Sequence, residues 1–249
     1  MKTSLVIPCT PEHFLSLLTI LHFYQLGTIK PDEVVVSLSN SQLVSSVTKS
    51  YVKNKALEMF DNFILLEHTR KVTHGPNRQA ASEASTGDLI IYTDADDIPH
   101  FKRVETIKHF FMNYDVLHIN HWFCKEEATF TDFLFSDVEF VSPEQIDDYY
   151  FSDCNLREIQ FKKPGGYGSS FGRTGGGSLS IHRKVLERVR WKDWSELFGP
   201  GEDWEFCFET AYTFRKSMIL KLDLIKYISD SARNFPSSVY EKITPGAKW

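Results

Sequence analysis

What this chain of 249 residues lacks narrows it first. Its four cysteines, Cys9, Cys124, Cys154 and Cys207, are scattered with no CxxC pair, so a disulfide framework is not expected and reduced, buried thiols are the default. It has no excess of positive charge: 28 basic residues against 33 acidic leave a net charge of −5, and no field exists to gather a nucleic-acid backbone, so no nucleic-acid partner is expected. No apolar run approaches the ~18 residues of a membrane span. The opening MKTSLVIPCTPEHFLSLL is broken by Pro8, Pro11, Glu12 and His13 and reads as a poor signal peptide. A soluble, cytoplasmic protein is expected, with peripheral membrane contact left open. The chain also lacks internal repeats and an inter-domain linker, so 1–249 reads as a single domain. What is present is a hydrophobic fraction of 42%, with 20 Phe and 10 Tyr, enough for a substantial core and clefts rich in rings.

Short apolar runs alternate with helical stretches. Residues 4–8 (SLVIP), 33–37 (EVVVS), 62–66 (NFILL) and 88–93 (DLIIYT) read as strands. Between them, residues 14–26 read as a helix stopped by Gly27, 44–59 as a second, and the small-residue segment 79–85 as a third. This alternation predicts an α/β fold, a mostly parallel sheet flanked by helices on both faces. Ligands of such sheets sit beyond the carboxyl ends of the strands. Pro8-Cys9-Thr10, Ser39-Asn40 and Asp94-Ala95-Asp96 all follow strands, so one rim should gather them. The second half is less regular. Residues 116–123 and 179–181 read as strands, 183–189 and 202–216 as helices, 130–140 as strand or loop, and 142–149 as a short helix. Residues 162–177 hold seven glycines in sixteen positions and must form a loop with unusual backbone angles.

IIYTDADDIPH, residues 90–100, carries the strongest chemical signal. A strand delivers Asp94, Asp96 and Asp97 to its end, and clustered carboxylates repel unless a cation neutralises them. Mn²⁺ or Mg²⁺ takes oxygen ligands and bridges phosphates; a solvated acidic turn is the plainer alternative. GPGEDWEF, residues 199–206, presents Glu202 and Asp203 at a helix start, where carboxylates favour the dipole. Simple capping explains that placement, as does a general base for an acceptor hydroxyl. In GPNRQAA, residues 75–81, Arg78 suits a phosphate or ribose at a helix start, though a lone arginine also serves as a surface ion pair. TGGGSLSIH lets a ligand approach the backbone but is no phosphate-binding P-loop, because GxxxxGK[ST] is absent. His118, His121 and Cys124 have zinc-like spacing, but strand positions three apart face opposite ways. Trp191, Trp194 and Trp204 flank the Glu202–Asp203 motif and are either sugar-stacking rings or core.

The order of these segments resembles family 2 inverting glycosyltransferases and related enzymes of the GT-A fold, and several pieces look like β-1,4-galactosyltransferases. LVIPCT, EVVVSLSNS, GPNRQAASEASTGDLIIYTDADD, GGGSLSIHRKVL and GPGEDWEF carry the resemblance, over roughly residues 3–210. It implies a nucleotide-binding half at about 1–100 and an acceptor half at about 101–249. Asp94-Ala95-Asp96 matches the family's DxD motif, which implies metal binding by Asp96, a metal or ribose contact for Asp94, and a divalent ion, Mn²⁺ or Mg²⁺. By the same match Pro8, Thr10, Asn77 and Arg78 contact the nucleotide, Gly176 and Gly177 line the sugar and acceptor pocket, and Asp203 is the base with Glu202 beside it. Two positions depart from the pattern. Ser39 stands where an Asp usually reads the nucleobase, and no histidine follows His182 to serve as a late metal ligand, a place that Asp230, Arg233, Asn234 or a water would fill. The implied activity is transfer of a sugar from a nucleotide-diphosphate sugar to a glycan or other hydroxyl acceptor, with inversion, the metal and Arg78 holding the diphosphate. A retaining glycosyltransferase, a nucleotidyltransferase and a non-catalytic nucleotide-sugar-binding module are the rivals.

Overall fold

The computed structural model describes residues 1–124, 133, 146–147, 175–193 and 201–226. Within these residues nine strands form one sheet: β1 (Thr3–Cys9), β2 (Glu33–Leu38), β3 (Phe63–Glu67), β4 (Leu89–Tyr92), β5 (Ile98–Pro99), β6 (His118–Cys124), β7 (Ile146–Asp147), β8 (Leu179–His182) and β9 (Ser217–Lys226). The described helices are α1 (Leu17–Leu26), α2 (Ser46–Met59), α3 (His74–Ala84), α4 (Arg103–Asn113) and α5 (Glu202–Phe214). The strand order is β3-β2-β1-β4-β8-β6-β9-β5, with β7 beside β9. Strands β3, β2, β1 and β4 run parallel; β8 is antiparallel to both β4 and β6, and β9 returns parallel to β6. The parallel half is thus the one that the alternating segments foretold, and the other half is mixed.

Alternation along each strand feeds two cores, one on each face of the sheet. Leu5, Ile7, Val34, Val36, Leu89 and Ile91 pack on one face with residues of α1, α2 and α4. Val6, Val35, Ile90 and Tyr92 pack on the other with Ala81, Trp191 and Phe206. Because both faces are covered, these strands read as unbroken apolar runs.

Several expectations move. The helix expected at 79–85 starts at His74, since Pro76 in its first turn removes no needed hydrogen bond. The helix expected over 183–189 is a 3-10 turn, Arg183–Glu187. In the segment 142–149, expected helical, Ile146–Asp147 pairs with β9 as a short strand. Strand β9, strand β5 and helix α4 were not foreseen. Apart from Phe133, the segment 130–140 lies outside the described residues, as do the glycine-rich stretch before Gly175, Trp194, Asp230, Arg233 and Asn234. No helix among the described residues is long and apolar enough to cross a membrane.

Candidate active site

The order β2-β1-β4 sets the carboxyl ends of three parallel strands side by side, and Thr10, Ser39 and Asp94 follow those ends. Pro8 itself lies inside β1, buried and in register with Ser37, so the rim begins at Thr10. A cavity of about 530 Å³ opens there, lined by Thr10, Glu12, Ser39, Asn40, Glu202 and the segment 71–75, among others. Ser39 forms part of its wall, but its hydroxyl is engaged elsewhere. It donates to the Val72 carbonyl at 3.0 Å and accepts from the Val72 N–H at 2.8 Å, fastening the end of β2 to the loop that precedes α3. That loop supplies Lys71, Val72, Thr73 and His74 to the cavity, none singled out from sequence. The available signal was their place between strand β3 and the next helix, the usual place for loops that carry ligand contacts in parallel sheets.

Asn77 and Arg78, expected at the nucleotide, are each only 2% exposed and sit on the inner side of α3. Arg78 is committed at both ends. Its Nη2 donates to Asp94 Oδ1 at 2.7 Å and its Nη1 to Glu202 Oε1 at 2.7 Å. Its guanidinium carbon lies 5.0 Å from the centre of the Trp191 ring. Burial works against its charge, but Asp94, Glu202 and Asp203 outweigh it and hold the guanidinium above its ordinary pKa. In this structure Arg78 ties Asp94 to Glu202: its two terminal nitrogens face carboxylates, and almost none of it meets solvent. Trp191 is likewise core, not a sugar platform. It is 1% exposed, stacks on Phe206 at 4.2 Å, and donates from its indole N–H to the Tyr92 hydroxyl at 3.0 Å.

The glycine run closes this arrangement from above. A Cβ on Gly176 would come within 2.6 Å of the Arg78 guanidinium, and one on Gly177 within 2.7 Å of Asp97 and 3.0 Å of Asp94. A side chain at either position would force Arg78, Asp97 or Asp94 to move. The Gly176 N–H donates to Asp203 Oδ2 at 3.0 Å, so Asp203 reaches across to the glycine turn. Asp203 stands with Glu202 and Glu205 in the first turn of α5, where the helix dipole favours negative charge. From the other side, Arg103 is fully buried and donates through Nη2 to the carbonyls of Tyr92, at 2.6 Å, and Gly177, at 2.7 Å. Its Nε donates to His121 at 3.0 Å, and it also meets the Tyr24 hydroxyl. His121 Nδ1 bonds the Trp122 carbonyl at 3.0 Å, and His118 Nδ1 faces the Ser217 hydroxyl at 3.2 Å. Both histidines are thus core residues.

Asp94 and Asp96 are half-buried at the rim, with His13 Nδ1 3.9 Å from Asp96. Asp97 lies below them, 1% exposed, its Oδ1 without a hydrogen-bond partner among the described residues. Burial, then Asp94 and Asp96, raise its carboxyl well above the usual range, against the pull of Arg103 and Arg78. Among the described residues no group of three or more His, Cys, Asp or Glu side chains encloses a metal position. The chemistry still suits a hard divalent ion of the Mg²⁺ kind, which is commonly held by one or two carboxylates and completed by substrate phosphates and water. Asp94 Oδ2 and Asp96 are the oxygens at hand, since Asp94 Oδ1 belongs to Arg78.

A family model described as glycosyl transferase family 2 matches residues 4–169. No curated protein matches the chain in sequence. Among solved structures, S. aureus TarS 1-349 in complex with UDP-GlcNAc superimposes with a TM-score of 0.62 at 12% identity, over 98% of this chain and 64% of that one. The mannosyltransferase PcManGT from Pyrobaculum calidifontis, in complex with GDP-Man and Mn²⁺, gives 0.61 at 16% identity, over 90% of this chain and 56% of that one. The chain spans less than two thirds of the length of either of these two, and at such identities the likeness is one of fold, the GT-A fold.

Proposed function

We propose that this chain, which belongs to glycosyl transferase family 2 and is a glycosyltransferase, moves a sugar from a nucleotide-diphosphate donor to an acceptor hydroxyl with inversion, Asp203 serving as general base. One observation carries the reading. The acidic end of β4 and the acidic start of α5, far apart in sequence, are joined through Arg78 and covered by the same glycine turn. Such a juncture offers oxygens for a cation on one side and a carboxylate base on the other.

The donor is held mainly by about residues 1–100, its nucleotide in the cavity between Thr10, Ser39 and the loop 71–75. Asp94 and Asp96 would hold a divalent ion, Mn²⁺ or Mg²⁺, which when bound would offset the negative charge that develops on the departing diphosphate. Of the two acids at the start of α5, Asp203 suits the base role better. Glu202 Oε1 is already engaged by Arg78 Nη1, whereas Asp203 reaches the glycine turn that covers the site. Asp203 takes an acceptor hydroxyl's proton as the oxygen attacks the anomeric carbon opposite the leaving group. The glycine turn, with no Cβ at Gly176 or Gly177, closes down on Arg78, Asp94 and Asp97 and so keeps the two acidic groups under one cover.

The test is a panel of nucleotide sugars, including UDP-GlcNAc and GDP-mannose, assayed for binding and slow hydrolysis with and without Mn²⁺, followed by NMR of the product's anomeric configuration. Metal-dependent turnover with inversion is expected. Retention of configuration would remove Asp203 from the base role, and pyrophosphate release from a nucleoside triphosphate would move the chain to another chemistry.

A further inference from the structure

We propose that Arg78 is a positioning residue that fixes the donor carboxylates relative to the helix bearing the base, and that it does not touch the donor itself. This rests on the donor-and-acceptor reading of the rim given above. The guanidinium is a planar fork whose donors diverge, and here one terminal nitrogen serves Asp94 and the other Glu202, each at 2.7 Å. Trp191 lies beneath it and Gly176 against it, so the fork has one resting place. Trp191 is itself fixed: its indole N–H is spent on Tyr92, whose hydroxyl meets Ser82 Oγ at 2.8 Å, and its backbone N–H donates to Gln79 Oε1 at 2.9 Å. Helix α3 thus grips the platform as well as the arginine standing on it.

The consequence is geometric. Glu202 opens α5 and Asp203 follows it, so the distance from Asp94 to the base is set through one rigid, buried group. An ammonium cannot replace it, because lysine is a point charge on a flexible stem with no fixed fork. Misplacement of a reacting group by ~1 Å can lower turnover about 100-fold without weakening substrate binding. Glu202 is then the anchor of the base and not the base.

The test compares Arg78→Lys, Glu202→Ala, Glu202→Gln and the double variant Arg78→Lys with Glu202→Ala. Two measurements are made: hydrogen exchange of the amides of residues 201–207 without substrate, and kcat and KM for whichever nucleotide sugar of the panel the wild type hydrolyses best with Mn²⁺. Arg78→Lys and Glu202→Ala should each speed exchange at the start of α5. Each should also lower kcat about 10- to 100-fold, with donor KM held within about threefold. The double variant should be no worse than either alone, since both cut the same tie. Glu202→Gln keeps an oxygen that can accept from Nη1 but loses the charge, and should be impaired less than Glu202→Ala on both measures. A donor KM that rises with kcat intact in Arg78→Lys would make Arg78 a phosphate ligand and overturn the proposal. So would additive losses, unchanged exchange in Arg78→Lys, or a Glu202→Gln variant as impaired as Glu202→Ala. If the wild type turns over no nucleotide sugar of the panel, the functional reading fails, while the exchange data still decide whether the tie exists.

Discussion

The two ends of the parallel strands treat buried carboxylates in opposite ways. At the amino end, Glu33 is 3% exposed, and both its oxygens are engaged. Ser4 and the backbone of Thr86 and Gly87 donate to one oxygen, the Thr86 hydroxyl and Lys2 to the other. Asp32 beside it accepts from the Thr3 N–H and hydroxyl, at 2.7 and 2.8 Å. At the carboxyl end, Asp97 is as deeply buried as Glu33, yet one of its oxygens has no hydrogen-bond partner among the described residues and two other aspartates crowd it. Asn77 Oδ1, Arg78 Nε and Thr93 Oγ1, at the same end, also have no hydrogen-bond partner among the described residues. An unsatisfied buried polar atom costs about 1–3 kcal/mol. One end is therefore built to hold the sheet together, and the other carries crowded carboxyls and unpartnered polar atoms, a cost that a cation would offset.

That contrast is broken most directly at Asp203. Asp203→Asn keeps the shape and, on the proposed mechanism, loses the base, so kcat should fall about 10²- to 10⁴-fold, with donor binding and thermal stability close to wild type. Equal activity would remove Asp203 from the chemistry. A smaller effect is expected at the metal side. Asp96→Ala should weaken Mn²⁺-dependent donor binding about 10- to 100-fold by calorimetry, on the scale seen when a metal site loses a supporting group. It should not lower the melting temperature, because Asp96 adds to the repulsion on Asp97. Unchanged metal dependence would sink its assignment as a ligand. Gly177→Ala sits between the two ends of the comparison. Its Cβ would press on Asp97 and Asp94 within 3.0 Å, so it should cost stability, about 1–3 kcal/mol as overpacking does, together with Mn²⁺-dependent binding.

The sequence made the parallel half of the fold legible because its strands are buried on both faces and stand out as apolar runs. It made the rim legible too, since Thr10, Ser39 and Asp94 each follow such a run. It hid which way Arg78 points. Gly75, Ala81, Ser82 and Ser85 recur at helical spacing around Arg78 in α3 and its C-cap, and small residues on one face of a helix mark close packing. An arginine in that stripe faces the core, a reading open only once the helix is known to begin at His74. Strand β9, though not foreseen, carries a legible signal: Leu220-Lys221-Leu222-Asp223-Leu224 alternates apolar and charged residues at the period of a strand. Ser39 follows β2 as its place in the sequence implies, but the bond it makes to Val72, some thirty residues on, depends on tertiary structure that no local pattern encodes.

The smallest expected effect tests the quiet end of the sheet. Burial alone would raise the Glu33 carboxyl, but hydrogen bonds from Ser4 and Thr86, helped by Lys2, outweigh it and bring it from 4.5 down to about 2. A carboxylate with a depressed folded-state pKa adds stability that is fully present above its unfolded value and is lost as pH falls through its folded value. Glu33→Gln puts a donor where Thr86 and Lys2 also donate, so it should cost about 1–3 kcal/mol at neutral pH. Its activity per folded molecule should be unchanged, the reverse of Asp203→Asn. The gap in melting temperature between wild type and Glu33→Gln should then narrow as pH drops from about 4.5 toward about 2, where the wild-type carboxyl also gains its proton. A gap that keeps its size across that window would mean that Glu33 acts by shape and packing rather than by charge. The amino end of the sheet would then be stabilised by the same neutral contacts as the rest of the core, and the difference between the two ends would rest on the crowded aspartates alone.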